Sequence, residues 1–154
     1  MNLPKLFIDN ITTIWGIQGS LWLKQLPNLI NFFCTQWQLT AIQPFDNLSY
    51  NYVARAFSNY YKCFVVLKIG IPSAELIQEM KALEFYDGQG CVKLLSHDYT
   101  NGGMLLALIQ PGITLKSFFP EKDTQAVEHA CAVIKNYIVS WRFYVQSRKF
   151  IGTT

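Results

Sequence analysis

The sequence lacks a stretch of about 18 consecutive apolar residues, so no segment reads as a membrane-spanning helix. The opening residues, MNLPKLFIDN, lack the continuous apolar run of a secretory signal. Together these readings assign the chain to the cytoplasm, where the sequons at Asn10 and Asn47 carry little weight. Its 4 cysteines, Cys34, Cys63, Cys91 and Cys131, form no CxxC and no Cys-His cluster. The pattern argues against structural zinc, and a free thiol buried among apolar neighbours is the ordinary expectation at each position. Only 2 histidines are present, His97 and His129. They make no paired metal motif and no defensible Ser-His-Asp order, and His97 has Asp98 beside it for a local hydrogen bond. Neither GxGxxG nor GxxxxGK[ST] occurs. Charge is sparse as well: 15% of residues are charged and the formal net charge is +3. That balance weakly favours anionic ligands such as nucleoside phosphates. The basic residues make no dense cluster that would suit nucleic acid, Arg142, Arg148 and Lys149 being the nearest to one.

What the chain has in quantity is apolar surface. Of its 154 residues 51% are hydrophobic and 15% aromatic, enough for one domain with a real core. Residues 1–16 show no clear pattern. From Ser20 to Trp37, Leu21, Trp22, Leu26, Leu29, Ile30 and Phe33 recur at helical spacing, with Pro27 as a kink or a start. Residues 39–57 read as two short strands with turn chemistry from Asp46, Asn47, Ser49 and Asn51. The run from Cys63 to Gly70, rich in β-branched residues, is the clearest strand. Pro72 and Ser73 then start a helix whose Leu76, Ile77, Met80 and Leu83 share a face, and Asp87, Gly88 and Gly90 end it. Strands follow at Cys91–Leu95 and Met104–Ile109, turning at Asn101–Gly103 and closing at Pro111-Gly112. A last helix begins near Asp123 and keeps its period through Tyr137, Ile138 and Trp141. This order predicts an α+β fold: a five-stranded antiparallel sheet with one helix inserted after its third strand.

Lys68 is the most informative single residue. Near the end of an apolar strand, its ammonium either reaches across the sheet into a cleft, where it would hold nucleotide phosphates, or sits at an exposed strand end. Glu75 and Glu79 follow one turn apart on the next helix, and either could pair with Lys68. Glu79 is preferred, lying one turn further in, where the helix docks more firmly; solvated carboxylates are the alternative. Ser49, Tyr50 and Asn51 form a turn that could cover phosphates or merely close a hairpin. In MLLALIQPG, the backbone at Ala107 and Ile109 could hydrogen-bond a base with Leu106 behind it, or the strand could simply end in a Pro-Gly turn.

The segments WLKQLPNLI, LSYNYVARA, VVLKIGIPSAELIQEMKALEFYDGQGCVKLLSHD and GGMLLALIQPG, followed by DTQAVEHACAVI, resemble the streptomycin-type aminoglycoside and hydroxyurea phosphotransferases, a protein-kinase-like family. The resemblance covers roughly residues 20–138. It implies a kinase-like N-terminal lobe over 39–112, a helical segment over 1–38, and a linker helix with a divergent tail over 113–154. It also implies ATP and magnesium as cofactors, and an aminoglycoside hydroxyl as phosphoryl acceptor. Lys68 matches the phosphate-holding lysine and Glu79 its partner. Ser49, Tyr50 and Asn51 fall in the loop over the phosphates, while Leu106, Ala107 and Ile109 fall at the base-binding strand. Where the family has Leu-Glu-Arg-Leu before its Pro-Gly, this chain has Leu106, Ala107, Leu108 and Ile109. The family's His-Gly-Asp loop, its following asparagine and its later metal-binding aspartate have no counterpart in the sequence, so no catalytic base and no metal ligand is assigned. The expectation is a truncated, inactive enzyme lacking the C-terminal catalytic lobe. The alternative is a non-catalytic nucleotide-binding or interaction remnant. The face such a lobe would cover would then be open to self-association.

Overall fold

A long helix kinked at Gly16 and a five-stranded sheet share one core, seen in a computed structural model that describes residues 3–112, 114–118 and 120–135. The expected continuation of the last helix through Tyr137, Ile138 and Trp141, and the basic residues Arg142, Arg148 and Lys149, lie outside the described residues. Helix α1 (Lys5–Gln36) buries Phe7, Ile11, Trp22, Leu26, Ile30 and Phe33 on one stripe. Two expectations fail here. The helix begins at Lys5, not near Ser20. Its break falls at Gly16 (φ 54°, ψ −127°), a backbone state that a side chain would make costly, whereas Pro27 lies inside the helix without such a departure. The early turns are hidden in the sequence because Asn10, Thr12 and Thr13 are poor helix formers. Full burial of Phe7 and Ile11 overrides that weak local preference.

Strands β1 (Leu39–Pro44), β2 (Tyr52–Ser58) and β3 (Cys63–Ile69) precede helix α2 (Ala74–Tyr86), and strands β4 (Leu94–Asp98) and β5 (Gly103–Ala107) follow it. All neighbours pair antiparallel in the order β1-β2-β3-β5-β4. This is the expected α+β architecture, a five-stranded sheet with a helix inserted after the third strand. It is consistent with the nucleotide-binding lobe of kinase-like proteins. Two boundaries shift. β4 starts at Leu94 because Asp87, Gly88 and Gly90 all take positive φ, prolonging the turn. β5 ends at Ala107, short of Ile109.

Strand alternation gives the sheet two different faces. Tyr52, Ala54 and Ala56 on β2 pair with Ile69, Leu67 and Val65 on β3, and all six join the buried core with α1. The opposite face carries the rows Val53–Lys68–Met104 and Arg55–Val66–Leu106. At the β4–β5 turn, Asp98 accepts hydrogen bonds from the Thr100 and Asn101 amides (both 2.9 Å) and from Asn101 Nδ2 (2.8 Å). Burial pushes its carboxyl up, but these bonds and the nearby His97 outweigh it and leave the group below its ordinary range. The carboxylate thus serves its own turn.

The cysteines depart from expectation. All four are free, but Cys63 and Cys131 are exposed and Cys34 and Cys91 only half-buried. Cys63 opens β3, where the strand has not yet entered the core. Burial still pushes the Cys34 thiol up.

The chain separates into two compact units. The first joins Met1–Ala82 with Leu94–Leu108. The second joins Leu83–Lys93 with the described residues from Ile109 onward. Within the second, Lys93 pairs with Asp87 at 3.1 Å, and Phe118 meets His129, in the helix at 123–135, edge to face. Among the described residues no helix is long and apolar enough to cross a membrane.

Candidate functional site

Lys68 is the next-to-last residue of β3, on the sheet face turned away from α1. Its strand neighbours on that face are Val53 and Met104. The stiff β-branched run before it fixes where its side chain leaves the sheet. Lys68 Nζ donates to both carboxylate oxygens of Glu79, at 2.6 and 2.8 Å. The lysine side chain is 17% exposed and the glutamate 42%. The pair is thus partly shielded from water, and its attraction exceeds that of a fully exposed ion pair.

Glu79 reaches Lys68 because α2 is firmly started. The Ser73 hydroxyl accepts from the Leu76 amide at 3.2 Å, a helix cap, and Ser73 O accepts from Ile77 N at 3.0 Å. Leu76 and Met80 are buried and anchor the helix. Glu75, the other candidate partner, makes no ion pair with Lys68 among the described contacts. Its own backbone amide, and then the Ser73 hydroxyl, hold its carboxyl below the usual range.

The β1–β2 loop forms the roof. The Phe45 amide donates to Val53 O at 3.0 Å, and Asn10 of α1 donates from Nδ2 to Ser49 O at 3.1 Å. Beneath the loop lies a cavity of about 320 Å³ lined by Phe45, Asn47, Leu48, Ser49, Asn51, Val53 and Lys68. Ser49, Asn51 and Lys68 therefore come together. Tyr50 does not join them: it is 56% exposed and lines a neighbouring cavity of about 300 Å³ with Trp15, Asn51, Glu75 and Glu79.

Of the three candidates near β5, Leu106 is buried on the Lys68 face, in the row beyond Met104. Ala107 ends the strand opposite Val65. Ile109 lies past the strand, 60% exposed, and belongs to the second unit. Sequence reasoning passed over Val53 and Arg55, which share the Lys68 face. Alternation along β2 could have flagged them only once the pairing of Val53 with Lys68 was known.

Chemically, the cavity is a polar roof over a lysine whose charge is oriented from behind by a carboxylate. Such a grip suits an anionic ligand with several oxygens. Among the described residues no group of three or more His, Cys, Asp or Glu side chains could hold a metal ion.

A family model described as aminoglycoside/hydroxyurea antibiotic resistance kinase matches residues 63–142. A streptomycin 6-kinase of Streptomyces glaucescens is 28% identical over 120 residues, which make up 76% of this chain and 38% of that relative. The matched part is thus well under half of the relative's length. No solved structure matches.

Proposed function

The chain belongs to the aminoglycoside/hydroxyurea antibiotic resistance kinase family, and on that premise we propose that it grips the phosphates of ATP in the cavity beneath the β1–β2 loop, as the nucleotide-holding part of a phosphotransferase acting on a streptomycin-type aminoglycoside. The observation that carries this reading is the Lys68–Glu79 pair, two bonds of 2.6 and 2.8 Å, whose lysine lines that cavity. A lysine so held offers its remaining donor capacity to phosphate, and Glu79 keeps the ammonium aimed before the ligand arrives. Ser49 and Asn51 supply polar groups from above. The backbone of Ala107 would take the adenine edge, with Leu106 as apolar backing. The cytoplasm, where ATP is held, is the compartment this reading requires.

Magnesium, when bound with the nucleotide, neutralises charge between the phosphates. Among the described residues no group of three or more His, Cys, Asp or Glu side chains offers to hold it. In the transfer itself, an acceptor hydroxyl oxygen bonds to the terminal phosphorus, the bond to the bridging oxygen breaks, ADP leaves and the hydroxyl proton passes to a base. No His-Gly-Asp stretch supplies that base within the 154 residues. The reading is therefore a nucleotide grip without turnover by these residues alone.

Calorimetric titration with ATP and magnesium tests it. Saturable binding is expected, and Lys68→Ala should weaken it roughly tenfold or more, since a hydrogen bond to a charged group contributes about 1.5–3 kcal/mol. The same protein mixed with ATP and streptomycin should yield no phosphorylated antibiotic by mass spectrometry. Absence of ATP binding by demonstrably folded protein would sink the grip. Phosphorylated product abolished by Lys68→Ala would sink the expectation of no turnover.

A further inference from the structure

We infer that Arg55 is a further nucleotide-binding residue, taking the base of the nucleotide whose phosphates Lys68 holds. The inference rests on the nucleotide reading above and extends it to the other end of the ligand.

Pairing fixes where Arg55 stands. Val53 lies opposite Lys68, and Arg55, two residues on, lies opposite Val66. Both rows look out on the same sheet face, about 7 Å apart at two strand residues. On β5 the corresponding partners are Met104 and then Leu106, and Ala107 comes next, opposite Val65. A nucleotide laid from Lys68 toward the end of β5 therefore crosses the row of Arg55, Val66 and Leu106. It would meet the aliphatic surface of Val66 and Leu106 in the middle of the row and the guanidinium on one side.

The condition of the side chain points the same way. Arg55 Nε is buried and has no hydrogen-bond partner among the described residues. A donor withdrawn from water and left unpaired is costly unless something later supplies an acceptor. The guanidinium does not hang free, either. Its central carbon sits 3.7 Å from the centroid of the Phe64 ring, and Phe64 is itself braced edge to face by Phe57 at 5.4 Å and 80°. A planar cation held over one aromatic ring still has a second face and an edge to offer. Planar heteroaromatic bases stack on such a face, and their ring nitrogens accept from such an edge. Lysine has neither plane nor fork, so the site needs arginine as such.

Titrations with three probes separate this role from a general effect of charge: ATP, adenosine and inorganic tripolyphosphate. Arg55→Ala should weaken ATP and adenosine by the same factor, about five- to tenfold, and leave tripolyphosphate unchanged. Lys68→Ala should do the reverse, weakening ATP and tripolyphosphate but not adenosine. Arg55→Lys keeps the charge and spares the strand, with folding checked by circular dichroism, and it should lose adenosine affinity as Arg55→Ala does. Full affinity in Arg55→Lys, or equal loss of tripolyphosphate in Arg55→Ala, would assign Arg55 to the phosphates and overturn the inference. So would an Arg55→Ala protein that binds every probe normally while Lys68→Ala weakens ATP, an outcome that leaves the nucleotide reading standing. Failure of the unaltered chain to bind ATP removes both, whereas binding of ATP without any binding of adenosine overturns this inference alone.

Discussion

Tyr52 begins β2 one residue before Val53, the neighbour of Lys68, and is 1% exposed. Burial, and then the charge of the nearby Cys34, push its phenol up to about 12. The sign of the consequence follows from which state loses its proton first. Below about pH 10 the phenol is neutral in both folded and unfolded chains, and its contribution is complete. Between 10 and 12 the unfolded chain ionises while the folded one resists, so stability falls as pH rises, by roughly 1.4 kcal/mol per unit. Tyr52→Phe should remove this slope, and urea titrations at pH 9 and 11.5 on both proteins measure the difference. An equal loss in both would mean that the buried hydroxyl does not resist ionisation. Single residues were legible to different depths. Lys68 and Glu79 stand out in sequence because a charge at the end of an apolar strand and a carboxylate on the next helix are chemically conspicuous. Tyr50 was grouped with Ser49 and Asn51 by adjacency. Yet consecutive turn residues point in different directions, and the loop turns it into the neighbouring cavity. Arg55 was illegible, since its importance comes from a pairing and from an unpaired donor.

The contact between α1 and the sheet turns on one place where a side chain meets bare backbone. Gly103, at the start of β5, lies under the ring of Phe33, and an added Cβ would stand 2.7 Å from Phe33 Cε2 and closer still to Cζ and Cε1. Phe33 cannot yield easily, because it stacks on Trp37 with centroids 4.6 Å apart. Gly103→Ala should therefore destabilise by about 1–3 kcal/mol, the ordinary cost of overpacking a filled core. Phe33→Leu alone also destabilises, by leaving space. Together the two should cost less than their sum, which a double-mutant cycle in urea would register as coupling. Strict additivity would show that the helix is free to move off the strand. Elements were legible where local preference and burial agree, as in β3, with β-branched residues and no breaker. They were illegible where the two compete. The first half of α1 has weak helix formers held by Phe7 and Ile11, and the start of β4 is displaced by three positive-φ residues that composition alone marks only as a turn.

The proposed grip lies wholly within the first compact unit: α1, the five strands and α2 through Ala82 contain Asn10, Ser49, Asn51, Lys68 and Glu79. That placement has a thermodynamic consequence for the whole chain. A ligand that binds only the folded form stabilises it by RT ln(1 + [L]/Kd), about 2.7 kcal/mol at a hundredfold excess over Kd. For a chain near 150 residues each kcal/mol raises the melting temperature by roughly 2–4 °C. Saturating ATP should therefore lift the transition that melts the sheet by about 5–10 °C in scanning calorimetry. If the two units melt separately, only that transition should move; if they melt together, the single peak should move by the full amount. Lys68→Ala should reduce the shift at the same ATP concentration, because Kd enters through the logarithm. A shift confined to a transition that leaves the strands intact, followed in parallel by circular dichroism, would move the nucleotide site out of this unit and away from Lys68.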